Sequence, residues 1–397
     1  MKKRGIKEAM ETPSPVTITL RRCLFAFLLL AFLNLLYRSL TVGQSPSVEW
    51  SLVDDKGLPK VDEDSPSVPH IDDCAETASY PLHVTEYKQR RNISDFMEEV
   101  LTKADPVMSA VCRFRHELPY SKHFPHTLQQ LLRCWSWWLY QQRHMGNNLK
   151  LILECDTNLF PPRNPFLSGF FQLLNESARV QFVSNATSHN NQPFNVAQAR
   201  LNDGGLYDFA MASRDDAVAL RKAAIQTFDL TNPTHCPQRP RILLLNRKQK
   251  RKILNSRSLQ QALESIGSVK RVYFEGRSFP EQLSYILQTD ILVSSHGAQL
   301  TSLPFLPPCA SVLELFPTGY YEPPFFGTLA AASGVTHGYL YLGVNRTHEV
   351  AMGSQNIAAR IQTRRANLCP PIQNVQEAVQ HMVDAWKQCC RRQYKGP

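Results

Sequence analysis

Residues 294–308 read SSHGAQLTSLPFLPP and follow an apolar run, DILVSS, at 290–295. His296 can donate a proton or a hydrogen bond there, and Gly297 has no side chain to keep a ligand away from the backbone. The N–H groups of Gly297, Ala298, Gln299 and Leu300, opening the next helical turn, are donors suited to an anion. The plain alternative is a loop histidine satisfied by its neighbours beside a glycine that only turns the chain. A second apolar run, RILLLNR at 241–247, ends in Arg247 and opens a basic cluster that includes Arg251. Eight Lys and Arg and no acid lie from Arg239 to Arg257. A guanidinium at such a place grips phosphate oxygens bidentately, whereas a solvated positive face is the bland reading. Glu314 stands inside SVLELF at 311–316. A carboxylate among apolar neighbours must find donors, and ribose hydroxyls are good ones. Base, phosphate and ribose contacts together describe a nucleotide pocket.

The elements that must position these residues alternate. The spacing predicts strands over 241–247, 269–275, 290–295 and 311–316, with helices over 258–267, closed by Gly267, and from 280. Ser278-Phe279-Pro280-Glu281 has the form of a capping box. Strand and helix alternating at this spacing imply parallel strands with right-handed crossovers, a doubly wound sheet. Ligands of such sheets sit beyond the carboxyl ends of the strands, where His296 and Arg247 both fall. The preceding half leans helical, with apolar residues three and four apart over 93–104 and 126–142 and a buried strand over 149–155. At the far end, residues 374–392 place Val375, Ala378, Val379, Met382, Val383 and Trp386 on one helical face, which needs a partner surface.

A chain of 397 residues with 43 % hydrophobic and 20 % charged residues exceeds one ordinary core. Basic residues precede an apolar run over 23–42, so residues 1–22 form a cytosolic tail and 23–42 a single-pass type II signal anchor; a cleaved signal peptide is the rival. Residues 43–80 read as an acidic, proline-bearing stem. Four Asn-x-Ser/Thr sequons, at Asn92, Asn175, Asn185 and Asn345, and nine of the ten cysteines follow the apolar run. Both features suit a lumenal body in the endoplasmic reticulum or Golgi, with the cysteines in structural disulfides of unreadable connectivity. The region after the stem carries a net charge of +12, which favours an anionic ligand without naming it. Nucleic acid is excluded by compartment.

The order and spacing of RKILN at 251–255, DILVSSHGAQLTSLPFLPP at 290–308 and SVLELFP at 311–317 resemble the donor-binding half of glycosyltransferase family 61. The likeness covers roughly 110–345. The family pattern has glycine where Gln299 stands, which bears on backbone freedom there. HFPHTLQQLLRCW at 123–135 is similar to the family's aromatic-His segment, with His126 at the matching histidine, although the usual Leu-Pro after it is missing. The resemblance implies an α/β, GT-B-like architecture of two Rossmann-like domains after an N-terminal anchor. It divides the body into an acceptor-side domain at 81–235, a nucleotide-sugar-binding domain at 236–350 and a C-terminal segment at 351–397 whose helix packs back on the domain junction. It also implies an inverting, metal-independent enzyme that moves N-acetylglucosamine or xylose from a UDP-sugar to a glycan or glycoprotein. Arg247, Arg251, His296, Gly297, Ala298, Gln299, Leu300 and Glu314 would bind the donor.

Chemistry is consistent with that implication. The one Asp-x-Asp, Asp62-Glu63-Asp64, falls in the stem, a poor place for a catalytic metal. Without a metal, Arg, Lys, His and helix N-termini must neutralise the departing diphosphate. Inversion requires a base for the acceptor hydroxyl: His126, with Glu154 and Asp156 as alternatives. A catalytically silent lumenal glycan- or polyanion-binding protein on the same fold is the other reading. A hydrolase built on Ser295 and His296 is excluded, since adjacent residues cannot form a nucleophile–base pair and no GxSxG elbow occurs.

Overall fold

A computed structural model describes residues 80–87, 97–100, 109–113, 124–145, 150–155, 164–184, 196–201, 211–231, 236–343 and 362–394, all within the compact unit Pro69–Pro397. The tail, the 23–42 anchor, the stem with Asp62-Glu63-Asp64, Asp156, and the sequons Asn92, Asn185 and Asn345 lie outside the described residues. Among those described, no helix is long and apolar enough to cross a membrane. Asn175 is exposed on its helix.

In chain order the elements begin with β1 (His83–Thr85), β2 (Met97–Val100), β3 (Ser109–Arg113), α1 (Phe124–Met145), β4 (Lys150–Cys155), α2 (Pro165–Ala178), β5 (Gln181–Ser184), β6 (Val196–Leu201) and α3 (Arg214–Thr227). They continue with β7 (Arg241–Asn246), α4 (Ser256–Leu263), β8 (Ser268–Tyr273), α5 (Phe279–Ile286), β9 (Ile291–Ser295), a 3₁₀ helix (Ala298–Phe305), β10 (Ser311–Phe316), α6 (Pro323–Ser333), β11 (Thr336–Tyr341) and α7 (Ile372–Tyr394). Two sheets result. One has the order β2-β6-β3-β4-β5 and the other β1-β11-β10-β9-β7-β8. Each is parallel except for one antiparallel edge strand, β2 and β1 respectively.

In the six-stranded sheet the strands read as continuous apolar runs because both faces are covered. Along β7, Ile242 and Leu244 enter one core cluster with α4 and α7, while Leu243 and Leu245 enter another beneath α5, α6 and the 3₁₀ helix. The second cluster continues into the five-stranded half through α1, α2 and α3. Phe279 is its hinge point, edge-on to Phe166 at 4.8 Å, Phe228 at 5.5 Å and Phe305 at 5.6 Å. Helix α5 starts as the sequence says it should: the Ser278 hydroxyl accepts from Glu281 N–H, and the Glu281 carboxylate accepts from Ser278 N–H at 2.7 Å.

Three expectations change. The helix over 93–104 is a strand at Met97–Val100, paired antiparallel with β6 from Met97↔Leu201 to Val100↔Gln198. A helix of that length is marginal alone, and a row of sheet-edge hydrogen bonds outweighs its local pattern. Strand β1, placed by sequence at the start of the acceptor-side domain, instead closes the edge of the six-stranded sheet, so that sheet is not confined to 236–350. Helix α7 does not lie on the junction between the halves. Its apolar stripe of Val375, Val379, Met382, Val383 and Trp386 covers the outer face of the six-stranded sheet, against Leu313, Leu315 and Leu340. Disulfides Cys236–Cys390 and Cys309–Cys389 pin its end, and Cys134 and Cys369 are also disulfide-bonded.

Because α7 covers much of the face that it shares with α4, deleting Ile372–Tyr394 exposes more apolar surface than a marginal fold tolerates. The full chain is expected to melt cooperatively by circular dichroism and the truncated chain to show no such transition. An unchanged melting temperature would make α7 a dispensable appendage. Trp386→Ala alone, at a side chain 2 % exposed, is expected to cost about 3–5 kcal/mol in urea unfolding.

Candidate functional site

The site forms where β7 and β9 end side by side. They are parallel, so Arg247 and His296, each just past its strand, reach the same rim. What turns the basic segment over that rim is Asn246. Its buried Oδ1 accepts from Arg247 N–H and Ile253 N–H, both at 2.8 Å, and its Nδ2 donates to Ile253 O at 3.0 Å. A side-chain amide thus closes the loop from 247 to 253. The far side of the loop is laced to a distant segment: Leu368 N–H donates to Lys252 O at 2.8 Å and Arg251 N–H to Arg365 O at 3.3 Å. Arg251 itself adopts a left-handed backbone, φ 63°.

Folded in this way, the loop brings Arg247 and Arg251 onto Gly297. A Cβ at 297 would lie 2.6 Å from Arg247 Nη1 and 3.3 Å from Arg251 Nη1. The backbone of Gly297 is extended, so glycine supplies room here rather than a special conformation. Arg251 Nη1 donates to His296 O at 3.0 Å. Burial, with the neighbouring Arg247 and Arg364 acting the same way and Tyr320 opposing, pushes Arg251 down to about 9. Burial also lowers Arg247, with Glu275 opposing and Arg364 adding. Glu275 is weak compensation, 3.9 Å from Arg247 Nε and 38 % exposed. Arg247 Nη1 and Arg251 Nε are buried with no hydrogen-bond partner. Arginine does not surrender its proton in a protein, so an anion would offset this unfavourable burial, and the unfilled donors have the chemistry to meet phosphate oxygens.

Beneath the arginines, His296 is 4 % exposed and ringed by Phe316, Tyr320, Phe325 and Phe326. Its Nδ1 lies 2.6 Å from Glu314 Oε1, and Glu314 Oε2 lies 2.8 Å from His337 Nε2. Burial lowers His296, against the upward pull of Glu314, and Arg251 and Arg364 lower it further. Burial would raise Glu314, but the two histidines hold its carboxyl below the usual range. A carboxylate at Glu314 needs donors, and Nδ1 of His296 is placed to be one of them. His126, third residue of α1, packs edge-on against Phe325 at 5.6 Å, and Phe325 in turn faces His296 at 6.4 Å. Burial lowers His126, Gln129 opposes this, and Arg364 adds to it, so the ring is a free base at neutral pH. Across one phenyl ring, the structure thus unites the two histidines that the sequence singled out separately.

Other positions differ from expectation. Glu314 has no solvent exposure and both oxygens are engaged by histidines, so it supports His296 and offers no oxygen to a ribose. His296 is an interior residue, not an exposed rim residue. Leu300 turns its side chain into the core and its N–H to Gly297 O at 2.9 Å, leaving no group for a ligand. Ala298 and Gln299 precede that first bond of the 3₁₀ helix. Gln299 is accommodated without backbone strain: its Nε2 donates to Leu245 O at 3.2 Å and Ser294 Oγ at 2.5 Å, tying the turn to two strand ends. Glu154 is the next-to-last residue of β4 in the other sheet, in register with Arg113 and Val183. Sequence reasoning missed Arg364, His337 and Asn246. Only Asn246, a polar residue closing an apolar strand, carried a local signal.

Removing the His296 ring opens a gap among four aromatics and strips a buried carboxylate of one donor. His296→Ala is expected to lose about 2–4 kcal/mol in urea unfolding; a loss below 1 kcal/mol would return the ring to the exposed rim. Lowered His296, His126 and Glu314 all mean that the folded chain binds fewer protons than the unfolded one. Unfolding free energy should therefore fall as pH drops below about 6.5 and keep falling through the carboxylate range. A stability that rises on acidification would contradict these shifts.

Comparison with known proteins agrees with the geometry. The family description Glycosyltransferase 61 matches residues 95–313, more than half of the chain. The EGF domain-specific O-linked N-acetylglucosamine transferase of Drosophila melanogaster is 39 % identical over 103 residues, 25 % of this chain and 19 % of that protein. Protein O-linked-mannose beta-1,4-N-acetylglucosaminyltransferase 2 of Homo sapiens is 37 % identical over 105 residues, 25 % of this chain and 18 % of that protein. Beta-1,2-xylosyltransferase XYXT1 of Oryza sativa subsp. japonica is 32 % identical over 85 residues, 21 % of this chain and 18 % of that protein. The chain spans about a fifth of the length of the relatives it matches. With more than half of its length matched to one family description, the chain belongs to glycosyltransferase family 61.

Proposed function

We propose that the protein is an inverting, metal-independent glycosyltransferase that moves N-acetylglucosamine or xylose from a UDP-sugar to a glycan or glycoprotein. One observation carries the reading: among the described residues, buried guanidinium donors of Arg247 and Arg251 converge on Gly297 with only the distant, half-exposed Glu275 carboxylate near Arg247 to offset them, and Arg364 adds its charge. That is a site for a multiply charged anion. Three cations around a departing diphosphate supply the charge stabilisation that a divalent metal otherwise provides. Family membership makes a nucleotide sugar the natural anion, and the names of the relatives point to N-acetylglucosamine and xylose.

In this reading the two parallel sheets are the halves of a GT-B-like architecture, with the donor on the six-stranded half. His126, a free base from the other half, takes the proton of the acceptor hydroxyl. The 23–42 segment anchors the chain in the endoplasmic reticulum or Golgi membrane with the body lumenal. The silent-binder alternative drew on the departure at Gln299, and that residue fits its turn without strain.

Calorimetry with the full chain and UDP tests the proposal. Binding is expected to survive EDTA; loss on chelation would overturn metal independence. Arg247→Ala and Arg251→Ala are each expected to weaken UDP by about 2 kcal/mol, roughly 30-fold, with the fold retained. Unchanged affinity in both would return the arginines to a solvated face. Gly297→Ala, by pushing aside the Arg247 guanidinium, is expected to weaken UDP without lowering the melting temperature.

A further inference from the structure

The hydrogen-bonded groups behind His296 continue well past Glu314. His337 Nε2 meets Glu314 Oε2 at 2.8 Å, and Thr85 Oγ1 meets His337 Nδ1 at 2.8 Å. Thr85, His337, Glu314 and His296 sit on or just after β1, β11, β10 and β9, four neighbouring strands of one sheet. A polar chain therefore crosses the sheet from its edge to the site. Polar groups in an apolar core cost free energy unless they find partners, and here Thr85, both nitrogens of His337, both oxygens of Glu314 and Nδ1 of His296 do. His337 is 2 % exposed and Glu314 fully buried, so neither is placed to touch a ligand.

We infer that His337 is a positioning residue: by donating Nε2–H to Glu314 it keeps that group a carboxylate, which holds His296 in the Nδ1–H form and leaves Nε2 to take up a proton when a diphosphate enters. The inference rests on the nucleotide reading above for what arrives at Nε2, but not for the tautomer of His296 itself. A carboxylate with two donors is a weaker base than one with a single donor. His337 thereby limits how strongly Glu314 pulls a proton onto His296. The groups facing His296 push in both directions. Glu314 favours the imidazolium, while Arg251, Arg364 and burial oppose it. Tyr320 packs on the ring, and Tyr87, pushed up to about 12 by burial and by neighbouring Tyr321 and Glu314, stays neutral. Burial and the two arginines thus keep His296 from taking up a proton at Nε2. An incoming diphosphate reverses that balance, because the proton on Nε2 then faces phosphate oxygen.

Histidine-selective nitrogen NMR on the ligand-free full chain reads the tautomer directly, with His296→Gln assigning the signal. Wild type is expected to show His296 protonated at Nδ1; a proton on Nε2 with Nδ1 bare would overturn the inference. In His337→Phe, which keeps the ring volume but has no donor, the pH midpoint of His296 is expected to rise by about one unit. His337→Gln, whose amide restores an N–H, is expected to return it to the wild-type value. Equal midpoints in all three proteins would make His337 merely a packed residue. Calorimetry of UDP in buffers of different ionisation enthalpy should show uptake of roughly one proton per nucleotide near neutral pH. Binding without proton uptake would overturn the linkage. Failure of UDP to bind at any pH would instead overturn the nucleotide reading, with the NMR result still deciding the role of His337.

Discussion

A carboxylate with no access to water, held by two imidazoles, organises this protein. Glu314 can stay ionised inside an apolar strand only if donors meet both oxygens, and those donors come from the end of one neighbouring strand and the body of the other. Register follows from that demand. β10 pairs with β9 through Glu314↔Ser294 and with β11 through Val312↔His337, and any slip would move a histidine away from the carboxylate. The three strands are locked where the chain leaves the sheet, and Gly297 and the 3₁₀ helix start from a defined point.

Above this anchor the molecule accumulates positive charge that it does not neutralise. The loop after β7 is held by a buried asparagine and by backbone bonds to residues 365–368, so the backbone that carries Arg247 and Arg251 is fixed at the rim. Structural ties therefore oppose electrostatic relief. Such opposition is expected at a ligand site, where preorganised charge costs the free protein stability and stabilises the bound anion. The aromatic shell around His296 serves the same end, since a low local dielectric strengthens each charged contact at the rim.

The two halves share one core. Phe279, the first residue of α5, meets rings from both the five-stranded half and the 3₁₀ helix, and a Cβ on Gly169 would collide with it. Helix α1 is buried along most of its length, with Trp135, Trp137 and Trp138 almost inaccessible, which explains how His126 at its start is held against Phe325. On the other face of the six-stranded sheet, α7 is held at its end by the disulfides Cys236–Cys390 and Cys309–Cys389.

Much of this was legible in the residues themselves. Strand β10 falls at 311–316 as its apolar pattern says, the capping box opens α5 where Ser278 and Glu281 say, and parallel alternation alone put Arg247 and His296 on one rim. These are local or near-local properties: apolar period, capping chemistry and the short connections of a doubly wound sheet. What the tertiary structure decided depends on partners far away in the chain. Within a helical pattern at 93–104, Met97–Val100 became a strand because β6, a hundred residues later, offered an edge. Glu314 turned from a ribose ligand into a buried brace because His337 approaches from the next strand, and His296 moved from the rim to the interior because α6 folds its phenylalanines over it. Arg364 joined the site through backbone bonds between 365–368 and the basic loop, and nothing in its own neighbourhood announces that. A sequence pattern records the face on which a residue lies; the partner that completes a buried charge is chosen only when distant strands come into register.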